Sequence, residues 1–460
     1  MSARAPTVRD DALLGAGETL QSVTDTIADR ALDRPPSRPW LALFLVALGL
    51  TGLFMVSIAW LLLRGVGIWG INIPVAWAFA IANYVWWIAI GMGGTFISAA
   101  LYIIGKDWRS SINRYAEAMT VFAVSVSGVF PILHLGRPEF FYWLFAYPNK
   151  MTLWPQWRSS LFWDFCAILA YLIFSILYWY AGLIPDLASL RDRARSRGKQ
   201  LFYGVLALGW RGEARHWAHL EALMLVMAGL AVPLVFSVHS MVGLDFSEGL
   251  LPGWHSTIFP PYFVAGALFS GFAMVLVLGI TLRRWYGLGA YITERHLDNL
   301  ARLVLTMSLI MAYSYLAEIF TSFYSGDPFE IGQSMARFTG AYAWVYWLVI
   351  ACNVLVPQLL WWPRLRRSHA LLLLVGLTVL VGMWFERFML IVDTLYRSYL
   401  PSMWGMFYPT FWDLAMLFGS VGLFLFLFLL FARWLPVISM HELRKLVHKR
   451  ATRVVAEEGT

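Results

Sequence analysis

The chain has 460 residues, of which 60% are apolar and only 13% are charged. A soluble domain carries charge on about a quarter of its residues, so this composition excludes a soluble enzyme and indicates a membrane protein. The net charge of +8 does not indicate nucleic-acid binding, because most basic residues lie on one predicted side of the membrane.

Ten apolar runs are long enough to cross a bilayer, since a spanning helix needs about 20 residues. They predict an all-α fold with a ten-helix membrane domain over residues 40–435, an N-terminal tail at 1–39 and a basic tail at 436–460. The predicted spans are Leu41–Leu63, Ala76–Ile104, Ala116–Leu135, Leu161–Leu183, Leu220–Val242, Tyr262–Leu282, Leu303–Tyr324, Tyr342–Trp362, Ala370–Ile391 and Trp412–Leu435.

The tail before Pro39 is polar and mixed in charge, so we expect no cleavable signal peptide. Within it, Leu20, Val23, Ile27 and Ala31 recur near helical spacing. Two interpretations stay open: an amphipathic helix that lies on a membrane or a partner, and a solvated tail.

Lysine and arginine positions predict the orientation of the spans. With the N-terminus inside, 28 of the 35 basic residues fall on the inner side of the membrane. We therefore expect both termini in the cytoplasm, and the basic run Arg191–Lys199 in an inner loop near anionic lipid.

Several familiar motifs are excluded by their context. Cys166 and Cys352 both fall inside spans, so cysteine metal sites and disulfides are not expected. The stretch "GVGIWG" matches a dinucleotide motif but follows a membrane helix instead of a strand. A transmembrane haem needs histidines facing each other across the bilayer, whereas His134 and His239 lie at the same end.

Ionisable side chains of five spans reach the outer leaflet, at depths counted at about 1.5 Å per residue. Each one alone is more often a paired structural group, but their common depth predicts a functional site. On the inner side, Arg114 and Glu117 lie at comparable positions. The outer set is His134, Asp164, His239, Asp245, Glu318, Glu386, Arg387 and Asp393.

Imidazoles, carboxylates and arginines together suit proton transfer and hydrogen bonding with a small polar head group. A lipid-soluble hydroquinone fits, because it enters from the side and gives up protons with its electrons. We assign the role of base to His134, with Asp164 to orient the ring and relay the proton. The aromatic candidates to enclose a quinone ring are Tyr142, Trp163, Trp254 and Trp384.

A weak internal repeat predicts two four-helix bundles, spans two to five and spans six to nine, flanked by single spans. His239 and Asp245 are six residues apart, as are Arg387 and Asp393, at the outer ends of spans five and nine. Both bundles begin with a tyrosine followed by small residues, which favour close packing of helices.

Longer stretches resemble the NrfD/PsrC (polysulfide-reductase-type) family of quinone-interacting membrane subunits, with most similarity to the ActC-type subunits of bacterial alternative complex III. The resemblance covers nearly the whole chain after Pro39. The stretches that carry it are "NYVWWIAIGMGGTFISA", "INRYAEAMTVFAV", "FPILHLGRP", "GLIPDLASLRDR", "LGWRGEARHW", "PGWHSTIFPPYFVAGALFSGFAMV", "CNVLVPQLLW" and "GMWFERF".

The resemblance implies a multi-pass subunit of the inner membrane that oxidises quinol near the periplasmic face, in a respiratory or photosynthetic electron-transfer complex. It implies a quinone cofactor, menaquinone in preference to ubiquinone, and no haem or metal held by this chain. The implied partners are an extracytoplasmic iron–sulfur subunit, a multihaem cytochrome c subunit and a paralogous membrane subunit.

Carried over by position, the implied quinone-binding residues are His134, Asp164, Asp245, Arg387, His239 and Glu386. A proton pathway is predicted to use Glu318, Asp393, Arg114 and Glu117. One residue departs from the family pattern: Met92 in "GMGGT" stands where Gly-His-Ala-Gly-Thr is expected. If that histidine serves a mid-membrane proton route, Met92 argues against proton translocation through this chain.

Three other functions remain as alternatives. The chain is a non-catalytic scaffold or proton-conducting paralogue in the first, and the quinone-reducing anchor of a polysulfide- or dimethyl-sulfoxide-reductase-like complex in the second. The third is a solute transporter, which predicts broken helices and polar residues at the midplane of the membrane.

Overall fold

The computed structural model describes residues 13–144 and 157–458, and every regular element in these ranges is helical. Two π-helical segments, Ile350–Leu355 and Met389–Asp393, continue the eleventh and thirteenth α-helices. The α-helices, numbered in chain order, are Leu20–Leu32 (α1), Arg38–Arg64 (α2), Phe79–Ile103 (α3), Asn113–His134 (α4), Ser160–Arg193 (α5), Arg197–Leu206 (α6), Ala214–Ser247 (α7), Phe259–Trp285 (α8), Glu294–Ser325 (α9), Pro328–Thr339 (α10), Ala343–Val349 (α11), Pro363–Arg366 (α12), His369–Phe388 (α13), Phe411–Trp434 (α14) and Met440–Glu458 (α15).

Within the described ranges, ten helical stretches are long and apolar enough to cross a membrane, which confirms the predicted all-α, ten-span fold. Spans eight and nine are composite, running over Ala343–Trp361 and His369–Asp393 with their π-helical segments. α5 and α7 have 34 residues each, or about 51 Å at 1.5 Å per residue, so both project beyond a hydrocarbon core of about 30 Å.

The first helices of the two predicted bundles, α3 and α8, pack against each other at the centre of the molecule. A Cβ atom on Gly93 would lie 2.5 Å from the Cα of Gly271, so only glycine permits this approach. Tyr84 and Tyr262 each lie nine residues before their helix's contact glycine, so the repeat seen in the sequence relates the two central helices.

The two faces of the bundle differ. α1 and α15 lie at the face that carries both termini, called here the terminal face, and α3 begins at the opposite, distal face. Val23, Ile27 and Ala31 of α1 are buried in packing against the rest of this chain, chiefly against α15, α14 and α5. The N-terminal helix therefore docks on the chain's own terminal face.

Candidate functional site

A pair of carboxyl groups lies near the distal face, among the helices of the first bundle. Asp164 of α5 is 5% exposed and accepts a hydrogen bond from the hydroxyl group of Tyr84 on α3. Asp245 of α7 faces Asp164 and Ser160. Unless a proton is shared between the two carboxyl groups, the Oδ1 atom of each has no hydrogen-bond partner in the described chain. This pair can take up and release a proton.

A second cluster forms around Arg387 at the distal end of α13. Its Nη1 atom lies 3.1 Å from Oε2 of Glu386, and Oε1 of the same carboxylate accepts a hydrogen bond from Tyr262 of α8. The guanidinium lies over the ring of Phe263, 4.4 Å from its centroid. Arg387 and Glu386 are buried, and Nη2 of Arg387 has no partner among the described residues. One donor of the guanidinium is thus left for another molecule.

His239 of α7 lies within electrostatic range of Arg387 and is completely buried. Neither ring nitrogen has a hydrogen-bond partner in the part of the chain that the structure describes. Since a buried histidine normally satisfies at least one nitrogen, His239 and Arg387 together present donors and an acceptor without protein partners.

His134 lies apart from the pairing proposed from the sequence. Its ring stacks on Trp69, with centroids 6.2 Å apart and planes at 12°, and its buried Nδ1 has no partner in the described ranges. The hydrogen bond of Asp164 comes from Tyr84 instead. Counting residues along each helix predicts the same membrane depth for His134 and Asp164. It does not predict the direction in which each side chain points around its helix axis.

Glu318 and Asp393 are joined by a residue that lies between predicted spans seven and eight and was not predicted as a site residue. Arg337 of α10 places Nη1 2.5 Å from Oε1 of Glu318 and Nε 3.8 Å from Oδ2 of Asp393. Burial acts to lower the pKa of Arg337, but Glu318 and Asp393 outweigh it and raise that pKa overall, so the guanidinium stays charged. This trio ties α10 to α9 and to the end of span nine.

Arg114 and Glu117 of α4 belong to a buried polar network near the terminal face. Nη2 of Arg114 lies 3.1 Å from Oδ2 of Asp186 on α5 and donates to the carbonyl of Gly182 at 2.5 Å. Glu117 accepts a hydrogen bond of 2.6 Å from Ser98. Asp186 was missed from the sequence because the predicted span ended at Leu183, whereas α5 continues to Arg193.

This network continues to the C-terminal helix. Arg109 forms a buried ion pair with Glu442 of α15 and also reaches Ser98 with a 3.4 Å hydrogen bond. Burial acts to raise the pKa of Glu442, but Arg109 above all lowers it below the ordinary value. The carboxylate of Glu442 therefore stays charged at neutral pH beside the buried Ser98 and Glu117.

One face of α5 carries a buried polar stripe that runs between the two ends of the molecule. Its first and last members, Asp164 and Asp186, are 22 residues apart, or about 33 Å along the helix. Tyr171 lies 3.3 Å from the carbonyl oxygen of Gly91, to which it donates. The members of the stripe are Asp164, Tyr171, Ser175, Tyr178 and Asp186.

The predicted aromatic residues mostly bond to protein groups. Trp254 donates to the carbonyl of Leu390 at 2.6 Å, and Trp384 donates to Asn83 at 2.8 Å. Trp163 donates to the carbonyl of Trp157, and Tyr142 is 43% exposed. The rings beside Arg387 are instead those of Phe263 and Tyr262, and Phe263 stacks on Phe246 with ring centroids 5.1 Å apart. Tyr84, Tyr262 and Phe263 were not predicted as site residues, and their only sequence signal is their place at the start of each repeat.

The carboxyl pair Asp164 and Asp245, together with His239 and Arg387, is called here the distal cluster. It contains buried polar atoms without hydrogen-bond partners in the described chain. Each such atom costs about 1–3 kcal/mol unless a ligand or water satisfies it. No group of three or more metal-ligating side chains converges within residues 13–144 and 157–458. The distal atoms without a hydrogen-bond partner in the described chain include Oδ1 of Asp164, Nδ1 and Nε2 of His239, Oδ1 of Asp245, Nη2 of Arg387 and Nδ1 of His134.

The fold and this cluster define a polytopic membrane protein with a buried polar site near one face. The chain belongs to the family described as polysulphide reductase, NrfD, whose model matches residues 70–397. Membership confirms the predicted family, though not the greater similarity to ActC-type subunits, and it confirms the placement in the inner membrane. Subunits of this family interact with quinone.

Two curated relatives are named as parts of reductases. A putative dimethyl sulfoxide reductase membrane subunit of Halobacterium salinarum is 25% identical over 344 residues, which cover 72% of this chain and 74% of that protein. A selenate reductase subunit of Mesobacillus selenatarsenatis is 23% identical over 397 residues, which cover 81% of this chain and 88% of that protein.

Proposed function

We propose that this chain binds quinol in the distal polar cluster and oxidises it as the membrane subunit of an electron-transfer complex. The observation that carries the proposal is the set of buried polar atoms without protein partners on α5, α7 and α13. A quinol supplies two hydroxyl groups that need hydrogen bonds, and it releases protons together with its electrons. Its head group therefore matches both the donors and the acceptors left free at this site.

Different residues of this chain are proposed to bind the quinone head group and to receive its protons. Nη2 of Arg387 and a ring nitrogen of His239 are available to hold a quinone oxygen. The carboxyl pair of Asp164 and Asp245 is available to receive a proton, and Tyr84 holds Asp164 in place. His134, stacked on Trp69, serves as a base for the second oxygen or for the exit of the proton.

The names of the relatives support one direction of electron flow. A reductase needs an electron donor, so similarity to parts of a dimethyl sulfoxide reductase and a selenate reductase favours quinol oxidation over quinone reduction. An alternative-complex-III-like assembly, with an iron–sulfur subunit and a multihaem cytochrome c, uses the same quinol chemistry. Menaquinone is the proposed quinone, and a scaffold paralogue without bound quinone is the competing function.

The distal face is proposed to be extracytoplasmic, as the basic residues indicate. Its loops carry large apolar side chains away from the spans: Ile73 is 84% exposed, Leu250 is 77% exposed and Tyr408 is 72% exposed. Tyr399 links the loops by donating to the carbonyl of Leu250 at 2.6 Å. Exposed apolar groups outside the bilayer favour a protein partner, and we propose that the iron–sulfur subunit docks there.

Proton movement is proposed to involve the stripe on α5 with Arg114 and Glu117. The side-chain hydrogen bonds of the stripe reach Gly91, and the next residue is the buried Met92, which has no proton to exchange. Water at this level is needed to join the two ends. Glu318 and Asp393 lie instead in the distal trio with Arg337.

Arg387→Lys tests the quinol site, because lysine keeps the charge but loses the planar fork of donors. We expect quinol-dependent turnover of the assembled complex to fall about tenfold to a hundredfold, since a hydrogen bond to a charged group contributes about 1.5–3 kcal/mol. Arg397→Lys is the matched control, because Arg397 lies over Trp404 in a distal loop, 4.2 Å from the ring centroid. Wild-type turnover and quinone content in Arg387→Lys would remove this residue from the site.

A further inference from the structure

A glycine on α8, Gly266, lies directly against the guanidinium of Arg387. A Cβ atom on Gly266 would lie 2.6 Å from Nη2 of Arg387 and 3.0 Å from Cε of Met383 on α13. Carbon atoms that are not bonded to each other pack at about 3.5–4.0 Å, and a nitrogen atom needs similar room. The guanidinium therefore occupies space that the side chain of any other residue at position 266 would need.

The neighbours of this guanidinium leave it little room to move. The ring centroid of Phe263, three residues before Gly266 on α8, lies 4.4 Å from Cζ of Arg387. The carboxylate of Glu386 lies 3.1 Å from Nη1 on another side, and Arg387 is 1% exposed. Cε of Met311 on α9 would lie 3.6 Å from the same Cβ atom. A side chain at position 266 would therefore displace the guanidinium, since the space is already enclosed.

The internal repeat shows that this glycine is particular to the second bundle. The register that pairs Gly93 of α3 with Gly271 of α8 also pairs Ile88 with Gly266. Ile88 is completely buried, so the first bundle carries a branched side chain at the equivalent position. The bundle whose central helix lacks a side chain here is the one that holds the buried arginine.

From this geometry we infer that Gly266 is a positioning residue of the quinol site, which gives the guanidinium of Arg387 the place from which Nη2 meets a quinone oxygen. The inference rests on the proposed function, and Gly266 acts through Arg387 and not by contact with quinone. A methyl group at position 266 would push the guanidinium aside by about 1 Å. A misplacement of that size can lower a rate about a hundredfold.

Gly266→Ala tests the inference in the intact complex. We expect quinol-dependent turnover to fall about tenfold to a hundredfold, and the quinone retained on purification to fall with it. Gly279→Ala is the matched control on the same helix, because its Cβ atom would lie 2.7 Å from the hydroxyl oxygen of Tyr115. It introduces similar crowding about 20 Å further along α8, outside the site, and should leave turnover and quinone content unchanged.

The Arg387→Lys background separates positioning from general packing. Lysine has no atom at the place of Nη2, so adding Gly266→Ala to Arg387→Lys should change turnover by less than about twofold. A packing defect would lower turnover equally in both backgrounds. Met383→Leu, combined with Gly266→Ala, removes the Met383 methyl group that the new Cβ atom would also meet. This variant should keep the defect, and it replaces Gly266→Ala if that chain does not assemble.

The possible outcomes distinguish this inference from the proposed function. Wild-type turnover in Gly266→Ala, a full further loss in the Arg387→Lys background, or recovery with Met383→Leu would overturn the positioning role. Wild-type turnover in Arg387→Lys alone would instead remove Arg387 from the quinol site, and the positioning role of Gly266 with it.

Discussion

A few charged side chains of this membrane protein lie inside its apolar bundle, and the proposed chemistry rests on them. Arg387 is nearly fully buried beside Glu386, and this pairing reduces the cost of placing a charge there. The remaining Nη2 donor has no partner in the described chain, and His239 close by leaves both ring nitrogens free. Burying polar atoms without partners costs free energy, and a ligand that forms hydrogen bonds with them would offset that cost.

A double-mutant cycle measures which distal residues act as a unit. Tyr84 donates to Asp164, so Tyr84→Phe and Asp164→Asn should each lower turnover, and the double variant should be little worse than Asp164→Asn alone. Removing a positioned acid or base typically costs about 10²–10⁴-fold in rate, so we expect Asp164→Asn in that range.

His134 serves as the comparison for this cycle, because its ring stacks on Trp69, whereas Asp164 accepts its hydrogen bond from Tyr84. The effects of His134→Ala and Asp164→Asn on the activation free energy should therefore add. A strictly additive result for Tyr84 with Asp164, or strong coupling of His134 with Asp164, would contradict the arrangement of the site.

At the scale of elements, the spans were predictable from sequence, whereas the contacts between them were not. Hydropathy and length located all ten membrane-crossing helices, because the bilayer imposes the same requirement on each of them. The partner of Asp164 was not predictable, since helical rise sets the depth of a residue and not its neighbour on another helix. Arg337 was not predicted as a site residue for a different reason. It lies on α10, an amphipathic helix too short to cross the membrane, so the hydropathy pattern left it between two predicted spans.

The exposed apolar side chains of the distal loops predict where a partner subunit docks. Leu250→Asp places a charge in the exposed apolar patch, and we expect most of the iron–sulfur subunit to be lost when the complex is purified through a tag on this chain. The matched control is Leu20→Asp on α1 of the terminal face, where the leucine is 42% exposed. Equal recovery of the iron–sulfur subunit with both variants would exclude the patch as its docking surface.

At the scale of the whole molecule, buried polar groups are spaced along one bundle between the two faces. The stripe on α5 extends from Asp164 to Asp186, and Glu117 and Arg114 lie beside its terminal end. Asp186 could not be assigned from sequence, because a span of ordinary length ends before it and α5 is unusually long. Met92, which departs from the expected family pattern, is buried within this bundle, and its effect on proton movement stays a prediction.

Glu117→Gln tests whether this stripe carries protons across the membrane. The glutamine keeps the shape of the side chain and its contact with Ser98 but cannot release a proton at neutral pH. In vesicles, we expect the number of protons moved per electron to fall while quinol oxidation continues. An unchanged ratio in Glu117→Gln would show that Arg114 and Glu117 have a structural role only.

The central claim is that quinol binds in the distal cluster between α5, α7 and α13. A photoreactive quinone analogue bound to the intact complex, followed by peptide mapping, tests it most directly. The predicted result is labelling of the segments around Asp164, His239 and Arg387 that excess natural quinol suppresses. Labelling confined to the apolar groove at the terminal face that Phe202 and Trp434 line, with none at the distal cluster, would contradict it.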